Sequence, residues 1–274
     1  MNEKLAFIKN NIAPKINKVA KSIEQINNEE FILNDSYLIR IFELKDPLLS
    51  KEDIKLMYAF NEENNKREKL IYIDEDCGFV VCKIVHRKKP LEDSIDERQL
   101  TNLIKEIKKI HKKEAFEFLT TFEMFTRFDL YKTKTKVKID GRYERKIVNK
   151  IKKIIEKESL TVCHNHLNRK SMLFGYDDVA LIDLRYCSLN YYQFDLASII
   201  DTFNLDENQI NKMLKTYYGK HFSMLKSHKI MIFTQFLRIF NYYFYSYIYS
   251  ETQSEYFKSK AEVCYKKIIA DKVR

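Results

Sequence analysis

The chain has 274 residues, 45% apolar and 32% charged, a length that supports a sizeable core in one large domain or two lobes. With 4 Gly and 3 Pro, breakers are few, which points to a helix-rich globular protein and excludes a low-complexity chain. The net charge of +10, from 49 basic and 39 acidic residues, is spread along the chain without a nucleic-acid module, so it reads as compositional bias and no specific nucleic-acid partner is expected.

Five cysteines (77, 82, 163, 187, 264) form no CxxC pair and no zinc-spaced cluster, which predicts reduced thiols in a cytoplasmic protein. The start MNEKLAFIKNNIAPKINK has no signal-peptide core. Ile230 to Tyr249 is nearly long enough to span a bilayer, but Gln235, Arg238 and Asn241 interrupt it, so a buried helix and no membrane span is expected.

Leu5, Ile8, Ile12, Ile16 and Val19 are spaced by three or four and predict an amphipathic helix over 3–22 despite Pro14. Strand-like runs follow at 22–26, 31–33 and 37–42, with Asn34-Asp35 as a hairpin turn. Ser50 caps a short helix over 51–61, and two more strands, 69–73 and 79–85, are joined by DEDCG. The charged stretch 87–92 with Pro90 reads as a hinge. This divides the chain into a small mixed lobe, 1–86, and a helical lobe, 93–274.

Helical periodicity then covers 97–111, a Phe-rich stretch over 114–131, and 145–158, with a basic loop at 132–141. Short apolar runs at 160–163, 172–174 and 179–182 interrupt the helices, the last two closing a hairpin through 175–178. Helices resume over 196–203, 206–218, 230–250 and 254–270.

The chemistry concentrates in Leu160 to Ile200, which carries HNHLNRKS, IDLRY and FDLAS in that order. This arrangement resembles the choline kinase and aminoglycoside phosphotransferase family, with bacterial choline kinases the nearer likeness. There a loop like HNDLxxxN precedes a strand ending in ID-W/F-E-Y and a downstream FDLAS. The resemblance covers about residues 22–220, is specific only over 160–200, and matches FDLAS at 194–198 in full.

The resemblance implies an α+β, two-lobed protein-kinase-like fold whose catalytic-loop hairpin spans 160–185. It implies ATP and Mg²⁺ as cofactors if the protein is active, and a small hydroxyl compound such as choline or another amino alcohol as acceptor. Asp183 then falls at the metal-binding position, with position 171 as a second metal ligand, position 166 as the base and Arg40 on the nucleotide phosphates. Glu52 or Asp53 is the candidate partner of Arg40. His164 and Asp195 are expected to brace the loop.

Three departures set this chain apart. His166 stands where the pattern has Asp, Ser171 where it has Asn, and no Gly precedes Gly78, although the family covers the triphosphate with a Gly-containing turn. Asn165 and Asn168 are amides that could substitute for the missing one. The tyrosines at 242, 243, 245, 247 and 249 could hold a quaternary ammonium or could be core. The reading that follows is a pseudokinase or binding role, with an unknown protein or small molecule as partner; the alternative is an active kinase in which His166 is the base.

Overall fold

A computed structural model of the chain describes residues 3–26, 29–43, 46–62, 68–84, 89–91, 94–114 and 119–273. The chain divides into two compact units, Met1–Lys88 and Lys89–Arg274.

The first unit opens with α1 (Glu3–Phe7), a π-helical stretch over Ile8–Ile12, and α2 (Ala13–Lys15). The helix expected to reach residue 22 stops earlier. Asn17 takes a left-handed φ of 54°, the Asn17 amide donates to the Pro14 carbonyl and the Lys18 amide to the Ala13 carbonyl, the two bonds of a Schellman ending.

Five antiparallel strands follow: β1 (Ile23–Gln25), β2 (Glu30–Leu33), β3 (Tyr37–Ile41), then, after α3 (Lys51–Glu62), β4 (Glu68–Ile73) and β5 (Phe79–Ile84). Their order in the sheet is β1-β2-β3-β5-β4. In the three-residue turn 34–36 between the paired Leu33 and Tyr37, Asn34 and Asp35 both have positive φ, 50° and 57°, the left-handed backbone that Asn and Asp tolerate. The Asn34 side chain also accepts the Lys21 amide at 2.8 Å and donates to the Val19 carbonyl at 2.8 Å, tying the turn to the chain that leaves α2. Ile8, Ile12, Phe31, Leu33, Ile39, Phe79 and Val81 form the buried core between helix and sheet.

The second unit begins at β6 (Lys89–Pro90), which pairs with β8 (Met172–Phe174); β8 pairs in turn with β9 (Val179–Leu181). Part of the expected hinge, 87, 88 and 92, lies outside the described residues. Lys89–Pro90 is extended and paired, in keeping with the bias a proline imposes on the residue before it.

The remaining elements are α4 (Glu97–His111), α5 (Met124–Lys134), α6 (Gly141–Ile155), β7 (Thr161–Cys163), β10 (Ser188–Asn190), α7 (Tyr192–Phe203), α8 (Glu207–Tyr218), α9 (Met224–Thr252) and α10 (Glu255–Val273). The helix expected over 114–131 begins only at Met124, and 115–118 lie outside the described residues. The reason is a strand-like contact: the Phe122 amide donates to the Leu189 carbonyl and the Leu189 amide to the Thr120 carbonyl. That contact leaves β10 flanked by β7 on one side and 120–122 on the other.

α9 is the buried spine of this unit, packed by α5, α6, α7 and α10. Phe236 meets Phe128 at 5.4 Å between ring centroids and Phe240 meets Phe194 at 5.7 Å. Tyr243 is buried and its hydroxyl donates to Glu144 Oε2 at 2.5 Å, while Lys132 pairs with Glu144 Oε1. Tyr242 lies against Tyr265 and Tyr245 against Phe257. Tyr243 and Tyr247 are buried core, while Tyr242, Tyr245 and Tyr249 are half-buried rings on the helix-packing surface. Among the described residues no helix is long and apolar enough to cross a membrane.

Asn34 carries both a left-handed backbone and three side-chain hydrogen bonds, to the Lys21 and Ser22 amides and the Val19 carbonyl, so Asn34→Ala should destabilise the chain by about 1–2 kcal/mol. Asn34→Gly, which keeps the backbone freedom, should lose less. Chemical denaturation of the two variants beside the parent checks the order.

Candidate functional site around the Asp195-braced loop

β7 delivers the loop 164–171, and its antiparallel pairing with β10 brings Cys163 opposite Ser188. Asp195, in the first turn of α7 and fully buried, holds this loop from below. Its Oδ2 accepts the His164 amide at 2.7 Å and its Oδ1 the Asn165 amide at 2.9 Å. His111, at the end of α4, brings Nε2 to Oδ2 at 3.1 Å, and its Nδ1 lies 2.8 Å from the Tyr217 hydroxyl. Burial pushes the Tyr217 phenol well up, so it stays protonated and donates to Nδ1. His111 then carries its proton toward Asp195.

Burial alone would raise the Asp195 carboxyl, but the His111 hydrogen bond, the nearby imidazoles and the His164 amide outweigh it and hold the group below its ordinary value. Asp195, His111 and Cys163 lie close enough to suggest a metal cluster. Burial, then the negative Asp195, pushes the Cys163 thiol far up, and a protonated thiol is a poor ligand; the carboxylate is already engaged.

Above this brace, the Asn165 backbone is left-handed (φ 62°). Its side-chain NH₂ donates to the Tyr186 carbonyl at 2.9 Å and to Ser188 Oγ at 3.0 Å, and its oxygen accepts from Asn190 at 2.7 Å. Asn168 caps a short 3₁₀ turn, Arg169–Ser171, and donates to the His166 carbonyl. Neither amide is therefore released to replace the Asn absent from position 171. Ser171 Oγ accepts the Asn168 amide at 2.9 Å and sits 3.0 Å from the His166 and Asn168 carbonyls, to which it donates its one proton. His164 places Nε2 2.9 Å from the Ile182 carbonyl and accepts the His166 amide at Nδ1, 3.3 Å away.

Asp183 follows β9 with a left-handed φ of 61°. Its carboxylate is met by Arg185 in a two-point contact, Nε to Oδ1 at 3.1 Å and Nη2 to Oδ2 at 3.2 Å. His166 Nε2 lies 4.0 Å from Oδ2, and the His166 ring lies 5.0 Å from that of Tyr186. The guanidinium carbons of Arg185 and Arg127 lie 5.3 Å and 5.5 Å from the Tyr186 ring. Asp183, His166 and Ser171 are thus gathered on one loop and hairpin.

In the first unit, Arg40 is buried and its Nε donates to Glu30 Oε1 at 3.0 Å; Glu30 is its direct cross-strand partner, and Nη1 lies 3.3 Å from the Tyr58 hydroxyl. The expected pairing at Arg40 with a first-turn carboxylate of α3 is corrected by this geometry. Asp53 is taken by a capping box, accepting the Ser50 amide while its own amide donates to Ser50 Oγ, and Glu52 is exposed.

Mg²⁺ holds near-octahedral oxygen ligands at about 2.0–2.1 Å. The two residues expected to hold it do not fit: the Asp183 carboxylate already faces a guanidinium, and the Ser171 hydroxyl is buried and turned to backbone. Arg185 was in view within IDLRY, where the family pattern carries Glu, and the reversal of charge was the signal that sequence reasoning left unread. His111 had no comparable signal, since it closes an ordinary amphipathic helix.

No family model matches the chain. LicA of Haemophilus influenzae is 25% identical over 154 residues, which cover 53% of this chain and 57% of the relative, so the match spans little more than half of that curated relative's length. Choline kinase LicA from Streptococcus pneumoniae superposes with a TM-score of 0.74 at 18% identity, covering 98% of this chain and all of that one. The fold is that of the choline kinases. A LicA solved with AMP gives a TM-score of 0.78 at 17% identity, with 97% and 98% of the two chains covered. An aminoglycoside phosphotransferase solved with gentamicin gives 0.68 at 13%, covering 98% and 96%. The two-lobed, kinase-like α+β class expected from Leu160 to Ile200 is the class observed.

Replacing Asp195 by Asn keeps the shape but removes the charge and turns an NH₂ toward backbone amides, so a loss of about 3–5 kcal/mol is expected. Because the Asp195 pKa is lowered on folding, its stabilisation is complete above the unfolded value of about 3.9 and fades as pH falls through the folded value. Denaturant titrations at neutral pH and through this acid range should show that loss of stability in the parent, and a smaller one in Asp195→Asn.

Proposed function

We propose that this chain is a choline kinase-like phosphotransferase-fold protein that has given up ordinary catalysis and acts by binding. The observation that carries the reading is His166, an imidazole at the position of the catalytic carboxylate, 4.0 Å from Asp183 and 5.0 Å from the Tyr186 ring.

Phosphoryl transfer to an alcohol is accelerated by positioning and electrostatics, with a carboxylate that orients the hydroxyl and accepts its proton. An imidazole can accept a proton but brings no negative charge. Here it faces Asp183 as a partner, and Arg185 and Arg127 add positive charge beside the same tyrosine. A cationic amino alcohol would meet net repulsion where the reaction needs attraction. Residues 27 and 28, within the stretch that lacks the family's glycine turn, lie outside the described residues; Glu30 there is engaged by Arg40.

The active alternative assigns His166 as base, Asp183 and Ser171 to Mg²⁺, and Arg40 with Glu52 to the nucleotide side. It is supported by the match to choline kinase LicA over nearly the whole chain. For either reading the ligand class is a small molecule or a nucleotide, and five free cysteines favour the cytoplasm.

The test is ADP release by the purified chain with ATP, Mg²⁺ and, in turn, choline, ethanolamine and related amino alcohols. No acceptor-dependent release is expected. Turnover that is lost in Asp183→Ala would overturn the proposal and establish the kinase.

A further inference from the structure

The pairing of Asp183 with Arg185 leads beyond loss of activity to the identity of the cation at this position. We infer that Arg185 is a resident cation standing where the phosphotransferases place a divalent metal, so that the Asp183 site binds neither Mg²⁺ nor Mn²⁺. This rests on assigning 160–185 as the phosphotransferase loop, and it is independent of whether His166 can act as a base.

The geometry closes the site from several directions. Arg185 contacts both carboxylate oxygens: Nη2 donates to Oδ2 at 3.2 Å, and Nε lies 3.1 Å from Oδ1 as a charge contact. The same guanidinium lies over the Tyr186 ring at 5.3 Å, which holds it from a second side. His166 Nε2, 4.0 Å from Oδ2, occupies another approach to the carboxylate.

A divalent ion arriving at Asp183 would have to displace a guanidinium and then remain within a few ångströms of that charge. Beyond the His166 imidazole, the oxygen ligands expected to complete an Mg²⁺ shell are not offered by Ser171, Asn165 or Asn168. The Ser171 hydroxyl is buried and committed to the Asn168 amide and to backbone carbonyls, and the Asn165 and Asn168 amides are spent within the loop. Mg²⁺ sites of the phosphotransferase kind draw on one or two carboxylates together with ligand phosphates. Here the single carboxylate is neutralised by a residue two positions along the chain.

The Arg185 side chain therefore decides the metal requirement, and its removal should uncover a metal site that the parent does not have. The probe is Mn²⁺ alone, titrated into the purified full chain and followed by the electron paramagnetic resonance of the free ion. The parent should take up no saturable Mn²⁺ at millimolar concentration. Arg185→Ala should gain a site with affinity higher by about tenfold or more, and the double variant Arg185→Ala with Asp183→Asn should lose it again.

Circular dichroism establishes that each variant is folded. Should Arg185→Ala not fold, Arg185→Gln, which keeps a polar contact with Asp183 but no charge, carries the same expectation. Saturable Mn²⁺ uptake by the parent that Asp183→Asn removes would overturn the inference, as would a folded Arg185 variant that gains no metal. Metal uptake by the parent without turnover would sink this inference and leave the proposed function standing; turnover would sink the proposed function and leave Mn²⁺ uptake to decide the other.

Discussion

Everything in the second unit that could bind or react hangs on one buried carboxylate. Asp195 neutralises no ligand and reaches no solvent; it accepts the amides of His164 and Asn165 and is itself oriented by His111. A buried charge is tolerated only when it is paired and hydrogen-bonded, and here the partners are the loop itself and the end of α4. Two consecutive amides directed at one carboxylate fix the backbone at the point where β7 ends. The left-handed turn at Asn165 then redirects it, and the Asn165 side chain ties it to β10. The brace is a folding device first, and would hold the loop in place whatever side chain stood at position 166.

That separation between frame and side chain explains how a loop can keep its architecture while the residues it carries differ. Substitutions at 166, 171 and 185 lie on side chains that project from the braced backbone, and each finds a local partner: His166 with Asp183, Ser171 with the loop carbonyls, Arg185 with Asp183. None disturbs Asp195 or the pairing of β7 with β10. The first unit presents a parallel case, since Arg40 keeps its strand position and meets a carboxylate, but from the neighbouring strand.

How much of this could be read beforehand follows the range of the interactions. α4 and the two hairpins depend on local pattern, and sequence periodicity locates them closely. The FDLAS segment identified the fold because its aspartate serves the frame. The early end of the first helix depended on a left-handed asparagine, and the late start of α5 on a contact with Leu189 nearly seventy positions away, beyond the reach of periodicity. β10 is only three residues long and exists because β7 and 120–122 flank it. At the site, the residue types were legible but their partners were not. Glu30 opposite Arg40 needed the hairpin register, and the Arg185–Asp183 ion pair needed the left-handed turn at Asp183.

His164 draws these threads to one atom pair. Its Nε2 must carry hydrogen to meet the Ile182 carbonyl, and its Nδ1 must be bare to accept the His166 amide, so a single neutral tautomer joins the loop to the strand end that carries Asp183. The imidazole acts as a spacer of fixed length between two backbones. A displacement of the hairpin would be passed through that ring to the His166 amide and to the loop that the buried carboxylate holds, so the two backbones move as one.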